Sequence, residues 1–318
     1  MRQFALLLLL AGLGTTASAN ERTSDAIPLR NHNPFLQVFG LPAFQTAALG
    51  SDISIGYDIT NDADDKLLPN ETLIIDSESQ VLNLAWRQRI KDRIELRVDL
   101  PWVRHSGGFL DGTIKDWHDV LGLSNSAREI PNDQFELLYE RGGTTYFDLS
   151  SPTSGIGDVR LSAAYAWPAV TVRAGVKFPT GDAASLTGSG ATDFSLAAYF
   201  DRSAELLRRD LQYSTFAGVL VLGDGDVLPE FQRDAVAFAG LALRWHATDR
   251  IALTTQWYLQ DSYFDIDIDE IGGTTLQLGV GADYRFDRAL LRLAIAEDII
   301  GSAAPDFALH LSVRYFGS

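Results

Sequence analysis

DFALHLSVRYFGS, residues 306–318, closes the chain and carries the reading of its fold. Phe307, Leu309, Leu311, Val313 and Tyr315 alternate with Ala308, His310, Ser312 and Arg314. Successive side chains of an extended strand point to opposite faces, so one face is apolar and the other mostly polar. The opposite end of the chain says where such a strand operates. MRQFALLLLLAGLGTTASA, residues 1–19, has a charged start, an apolar stretch from Phe4 to Leu13, and the small residues Ala17, Ser18 and Ala19. That pattern predicts a secretory signal peptide cut before Asn20 and export through the Sec route. An exported chain that finishes on a two-faced strand points to a barrel in the outer membrane.

Charge and composition narrow the alternatives. About 299 of the 318 residues remain after the cut, enough for one large barrel or two ordinary domains. Lys and Arg total 26 and Asp and Glu 42, a formal net charge of −16, and removal of Arg2 with the leader takes this to about −17. That excess argues against nucleic acid, whose phosphates call for Lys and Arg. With no cysteine there is no disulfide, thiolate metal site or lipid-modified N-terminal Cys. After the leader no apolar run approaches the ~20 residues of a membrane helix, so a membrane could be crossed only by strands.

Period-two alternation dominates the remainder. Ile94, Leu96, Val98, Leu100 and Trp102 share one face against Glu95, Arg97 and Asp99. Val172, Ala174 and Val176 oppose Thr171, Arg173, Gly175 and Lys177, and Leu276, Leu278, Val280 and Tyr284 oppose Gln277, Gly279, Asp283 and Arg285. A water-soluble β-sandwich alternates as well, but the connections separate the two cases. Candidate strands are 52–60, 80–90, 93–105, 156–167, 170–178, 192–200, 211–222, 234–246, 250–260, 274–286, 289–298 and 306–316. Lys91-Asp92, Pro168-Ala169, Thr248-Asp249 and Asp287-Arg288 are tight turns, with 202–210 and the N-terminal segment on their side. The opposite connections, 61–79, 106–155, 179–191, 223–233, 261–273 and 299–305, are longer and mostly acidic. Short turns on one rim and long loops on the other are the outer-membrane pattern. The expected fold is therefore all-β: a transmembrane antiparallel up-and-down barrel of about twelve strands. Residues 20–50 precede it as a periplasmic or plug-like segment, and 51–318 form the barrel, including the long loop 106–155. Trp86, Trp102, Tyr165, Trp167, Phe178, Phe200, Trp245, Trp257, Tyr284 and Tyr315 fit interfacial girdles. The last strand departs from the usual ending, since Gly317-Ser318 follow the terminal aromatic Phe316.

Several phrases occur together: NPFLQVFGLPAF (33–44), DLPWVRHSGGFLDGTIKDWH (99–118), GIGDVRL (155–161), KFPTGD (177–182) and LTGSGATDF (186–194). From about residue 28 to the C-terminus this order resembles a Gram-negative envelope family described as domain of unknown function 3187. The GIGD and FPTGD–GSGATD pieces are also similar, more distantly, to barrels associated with degradation of phenol and other aromatic compounds. The first resemblance implies an outer-membrane barrel and supplies no activity.

With apolar residues facing lipid, the inward row contains Arg87, Arg89, Arg97, Arg173, Lys177, Arg244, Arg285, Arg292 and Arg314, and the acids Glu95, Asp99, Asp193, Asp283 and Asp298. Such rows either fill a narrow lumen with ion pairs or line a water-filled pore. In the long loop, Leu110, Ile114, Trp117 and 120–121 stand at helical spacing between Gly108 and Gly122. They predict an amphipathic helix over 109–121 that docks on or inside the outer mouth as a gate, with His118 beside it. His105-Ser106 is the catalytic alternative, a lipid hydrolase using His105 with a nearby serine. Adjacent strand residues point apart, so His118 or Asp119 would have to complete that site from the loop.

The acidic loops, 261–270 (DSYFDIDIDE) and Asp62, Asp64 and Asp65, read first as solvated carboxylates. Calcium bridging to lipopolysaccharide is the secondary reading; no metal or cofactor site is otherwise expected. Residues 33–44 either tuck into the periplasmic mouth or pack outside as an anchor. The expected partners are outer-membrane lipid and lipopolysaccharide, the barrel-assembly machinery during insertion, and a small solute. A passive channel for small, hydrophobic or aromatic solutes is the leading expectation, followed by a structural or interaction barrel with a filled lumen, then by the lipid hydrolase.

Overall fold

The structure is a computed structural model and describes residues 26–108, 135–305 and 307–316. Fifteen strands form one antiparallel sheet: β1 (Asp52–Leu68), β2 (Glu71–Lys91), β3 (Ile94–Ser106), β4 (Glu136–Arg141), β5 (Thr144–Leu149), β6 (Thr153–Ile156), β7 (Arg160–Ala166), β8 (Thr171–Lys177), β9 (Asp193–Leu206), β10 (Arg209–Val221), β11 (Ala235–Trp245), β12 (Ile251–Gln260), β13 (Thr275–Arg285), β14 (Ala289–Ile300) and β15 (Phe307–Phe316). β15 returns to β1 in a register running from Asp52↔Phe316 to Asn61↔Phe307, which closes the sheet. β6 and β7 both pair with β3 and are two halves of one wall strand. β4 and β5 form a hairpin on the outer part of β2. The wall is therefore a closed twelve-stranded barrel.

Alternation becomes a lipid face and a lumen face. On β14, Leu291, Leu293 and Ile295 are exposed, whereas Arg292, Ala294 and Ala296 are buried. The same pattern puts Ile53, Ile55, Leu84, Trp86, Leu96 and Leu100 on the outside. An apolar exterior around a charged interior inverts the arrangement of a water-soluble β-protein. Near the rim of tight turns, aromatic pairs stack edge-on, Tyr165 with Trp167 at 4.6 Å and Tyr284 with Phe286 at 4.9 Å.

Three connections differ from the sequence reading, one of them the long loop 106–155, whose described part carries the β4–β5 hairpin and most of β6. Residues 61–79 are not a loop, since β1 and β2 stay paired from Asn61↔Glu78 to Leu68↔Glu71. Beyond the membrane there is no lipid side to display, so Asp62, Asp64 and Asp65 obscured a strand that simply continues. That extension buries Leu73 and Ile75 beside Leu137 and Tyr139 of β4. Residues 202–210 are likewise a continuous hairpin turning at Leu207 and Arg208, with φ of 53° and 61°. Positive φ at both central residues is what a two-residue type I′ turn requires. The helix expected over 109–121 lies outside the described residues. The helical turn α1 (Asp269–Gly272) sits instead in the loop between β12 and β13.

The barrel encloses residues 26–50. Ile27, Leu29, Phe35, Leu36, Val38, Phe39, Leu41 and Phe44 are all buried. The wall makes room for them with glycines: a Cβ at Gly240 would come within 2.7 Å of the Phe44 ring, and one at Gly279 would collide with Leu29. Above, the loops fold over the lumen and bury Leu186, Val227, Leu228, Tyr263, Phe264, Ile266, Ile271 and Ala303 in the same apolar cluster as Phe35, Phe39 and Phe44.

Leu293, mid-strand and 53% exposed, tests the membrane face. Leu293→Arg should lower the free energy of unfolding from a bilayer by about 2–4 kcal/mol. Denaturant titration in lipid vesicles measures this; a barrel with water outside would tolerate the change.

Candidate functional site

The enclosed segment rises along one side of the lumen, turns near the outer loops and descends along the other. At its start the Ile27 amide and carbonyl exchange hydrogen bonds with the Gln256 carboxamide, both 2.9 Å, and Arg292 donates to the Ala26 carbonyl. Asn31 and Asn33 form the turn. Asn31 Oδ1 accepts from the Asn33 amide at 2.9 Å, and Asn33 Oδ1 from the Phe35 amide at 3.0 Å. Their amide groups reach the loops, Asn31 to the Ala303 carbonyl at 2.5 Å and Asn33 to the Glu270 carbonyl at 3.2 Å. These side chains satisfy backbone groups that no strand pairs, as a buried irregular segment must.

On the descent the wall charges hold the backbone. Lys177 Nζ donates to the Val38 carbonyl (3.1 Å) and to Asp158 (2.7 Å), and lies 3.1 Å from Asp193. Asp193 in turn accepts from the Gly40 amide at 2.8 Å and the Gly223 amide at 3.0 Å, joining segment, wall and outer loop. Arg173 donates to the Thr46 and Ala48 carbonyls, each at 3.0 Å, and to Glu95 at 2.6 Å. Glu95 accepts from the Gly50 amide at 2.6 Å and lies 3.9 Å from Arg87, itself paired with Asp52. Arg160 donates to the Gln37 and Phe39 carbonyls at 3.3 and 3.2 Å. Buried charges persist only when paired and hydrogen-bonded, and here the partners are divided between wall and segment.

Most of the remaining inward charges find their charged partners within the wall. Arg97 and Asp99 form a two-point pair at 2.7 Å, and Asp283 is held between Arg244 and Arg292. Arg314 lies 3.6 Å from Asp52. Arg89 and Arg285 occupy the rim of tight turns. Arg89 is exposed and reaches the Leu49 carbonyl, and Arg285 lies over the Phe316 ring at 5.2 Å. Asp298 accepts from the Thr275 hydroxyl at 3.2 Å.

Midway down, Phe44 of the segment sits among wall aromatics. It meets Phe216 edge-on at 4.7 Å and Tyr258 at 6.0 Å. Phe216 stacks on Tyr199 at 5.0 Å and lies 6.0 Å from Phe238. The Tyr258 hydroxyl donates to the Pro42 carbonyl at 2.6 Å, and Arg173 stands over the Tyr199 ring at 5.5 Å. Above this cage Phe39 stacks on Tyr263 at 5.1 Å, and burial drives the Tyr263 phenol far above its ordinary pKa, so it stays neutral. Three spaces between segment and wall measure about 20, 30 and 30 Å³, each with room for a water or two.

His105 does not lie with Ser106. Its Nδ1 is 2.9 Å from Ser79 Oγ and its Nε2 3.1 Å from the Leu186 carbonyl, so the ring clasps an outer loop to the wall. His105 is fully buried and Ser106 nearly so. The expected contributors Leu110, Ile114, Trp117, His118 and Asp119 lie outside the described residues. The acidic run splays its carboxylates: Asp265, Asp267 and Asp269 face solvent while Tyr263, Phe264, Ile266 and Ile268 face inward. Among the described residues no three acidic, histidine or cysteine side chains group as a metal site. Several contributors were missed in sequence, among them Arg160, Asp158, Phe44 and the cage residues Tyr199, Phe216, Phe238 and Tyr258. Asp158 sits in the break between β6 and β7 and so turns inward, out of phase with the strand alternation. Phe44 looked like any apolar residue before the first strand.

A family model described as "Protein of unknown function (DUF3187)" matches residues 7–316. The chain belongs to this DUF3187 family. No curated protein matches it. Among solved structures, it is similar to the COG4313 outer membrane channel from Pseudomonas putida F1, at 17% identity and a TM-score of 0.54, covering 88% of this chain and 98% of that one. The NanC porin overlaps at 10% identity and 0.46, covering 85% and 100%. The P. putida toluene transporter TodX overlaps at 11% and 0.36, covering 89% and 91%. The likeness to the first is one of fold, and the fold is that of an outer-membrane barrel.

Asp193 links three parts of the lumen. Asp193→Ala should leave Lys177 short of a buried partner, costing about 3–5 kcal/mol. The enclosed segment should become protease-sensitive while heat-modifiable gel mobility shows the barrel intact. Equal protection of residues 26–50 in variant and parent would mean that Asp193 does not hold the segment.

Proposed function

We propose that this DUF3187 barrel is an outer-membrane channel kept shut by its own residues 26–50, and that its solute is a small aromatic compound. The observation that carries this reading is the Phe44 ring in its cage of Tyr199, Phe216, Phe238 and Tyr258, with Gly240 clearing the space beneath it. A cage that holds a phenyl ring edge-on holds a free aromatic ring by the same contacts, worth about 0.5–1.5 kcal/mol per pair beyond area burial. Arg173 beside Tyr199 favours a ring bearing a carboxylate or another anionic group. The wall closes through its own ladder, including the β1–β15 seam. Displacing the segment would therefore leave the barrel standing around a charged, water-compatible lumen.

The second reading is a sealed structural barrel. The wall glycines fitted to Leu29 and Phe44, together with the loops folded over the top, favour it. Planar-bilayer recording separates the two readings. Phe44→Ala removes a buried aromatic worth about 3–5 kcal/mol. The variant should open more often than the parent, and benzoate should enter vesicles faster than an aliphatic acid of equal size. If parent and variant are equally silent and neither admits benzoate, the barrel is structural.

A further inference from the structure

Across the seam that closes the barrel, Asp58 of β1 stands opposite His310 of β15, and Gly56 opposite Ser312. His310 and Ser312 are two apart on one strand, so both face the lumen. His310 Nδ1 lies 2.7 Å from Asp58 Oδ1, and His310 Nε2 lies 2.9 Å from Ser312 Oγ. The three groups stand in the order of a relay: the carboxylate accepts a hydrogen bond from Nδ1–H, which leaves Nε2 to accept from the serine hydroxyl. Among the described residues a second Ser–His pair, Ser79 with His105, lacks this order: its second nitrogen meets a carbonyl, and both residues are buried.

We propose that Ser312, His310 and Asp58 form a serine-hydrolase site inside the barrel, acting on small carboxylic esters that reach the lumen from the rim of tight turns. Access follows a gradient along the strands. His310 and Asp58 are buried, whereas Ser312, Gly56, Ser54 and Arg314 are partly exposed. A cavity of about 30 Å³ touches all three groups of the relay and is lined also by Arg30, Arg97 and Arg314. Gly56 keeps the approach open, since a Cβ there would stand 3.4 Å from His310 Cε1 and 3.8 Å from Ser312 Cβ. Pro28 and Ala43 of the enclosed segment form the inner side, so esters larger than the present space require the segment displacement proposed above.

Ser312 Oγ attacks the ester carbonyl as its proton passes to His310 Nε2. The guanidinium N–H groups lining the cavity offer donors to the oxyanion. His310 returns the proton to the departing alkoxide, which leaves as an alcohol. Water, deprotonated by His310, then attacks the acyl-serine, releasing a carboxylic acid and restoring the hydroxyl. Asp58 is a positioning residue that fixes the imidazole tautomer.

The test treats refolded barrel, in the parent and Phe44→Ala forms, with a fluorophosphonate, whose fluoride the Ser312 hydroxyl would displace. Peptide mass spectrometry locates the adduct, and p-nitrophenyl acetate turnover is followed alongside. The expected result is an adduct on Ser312 in one or both forms, formed faster in Phe44→Ala and lost in His310→Ala, with turnover falling about a thousandfold or more in Ser312→Ala. Asp58→Asn should lower kcat with KM nearly unchanged, which a merely structural role would not produce. Heat-modifiable mobility checks each variant's fold, and the mapped adduct decides the matter without any variant. Absence of an adduct on Ser312 in both forms overturns the site. Conductance of the same Phe44→Ala sample reports separately whether the segment moves.

Discussion

In hydrocarbon an unpaired backbone N–H or C=O has no water to turn to, and this governs the whole molecule. A sheet can cross a membrane only if its first and last strands find each other. Here the closing pair is β1 and β15, held over ten residues from Asp52↔Phe316 to Asn61↔Phe307. Closure fixes the two faces of every strand: Leu291, Leu293 and Ile295 must meet lipid, so Arg292 must meet the lumen.

A lumen walled by twelve strands is wider than wall side chains alone close, and residues 26–50 occupy it. The result is a buried irregular segment, which is costly unless each backbone group has a partner. The inward arginines, Lys177 and the facing carboxylates provide those partners, and the segment's carbonyls and amides complete the surroundings of the charges. Each solves the other's desolvation. Because these contacts are single hydrogen bonds from side chains and not a strand ladder, the segment is the part of the structure that can move without opening the wall.

Most of the wall was legible in the sequence, because lipid imposes a strict alternation and tight turns fall where strands re-enter the membrane. The twelve candidate strands match the wall, including the one split by Gly157–Val159. Legibility stopped where the lipid stops. Above the membrane β1 and β2 continue through Asp62, Asp64 and Asp65, where no row of lipid-facing residues marks the strand. The inward direction of Arg173, Lys177 and Asp193 could be read from phase; their partners on the segment could not, since Thr46, Ala48, Val38 and Gly40 act through backbone atoms that leave no trace in residue type. His105 drew attention for its neighbour Ser106, yet strand geometry paired it across the sheet with Ser79. Asp58, His310 and Ser312 were invisible as a group because only closure of the barrel brings residue 58 beside residue 310.

The central claim is that residues 26–50 form a displaceable occupant of a rigid wall. Hydrogen–deuterium exchange on the barrel in lipid nanodiscs tests this most directly, with and without a saturating small aromatic acid such as benzoate. The amides of Gly40 and Gly50, bound to Asp193 and Glu95, should exchange faster when the aromatic acid is present, while the paired amides of β12, β13 and β14 stay protected. Protection of residues 26–50 equal to that of the wall strands, and unchanged by the aromatic acid, would contradict it.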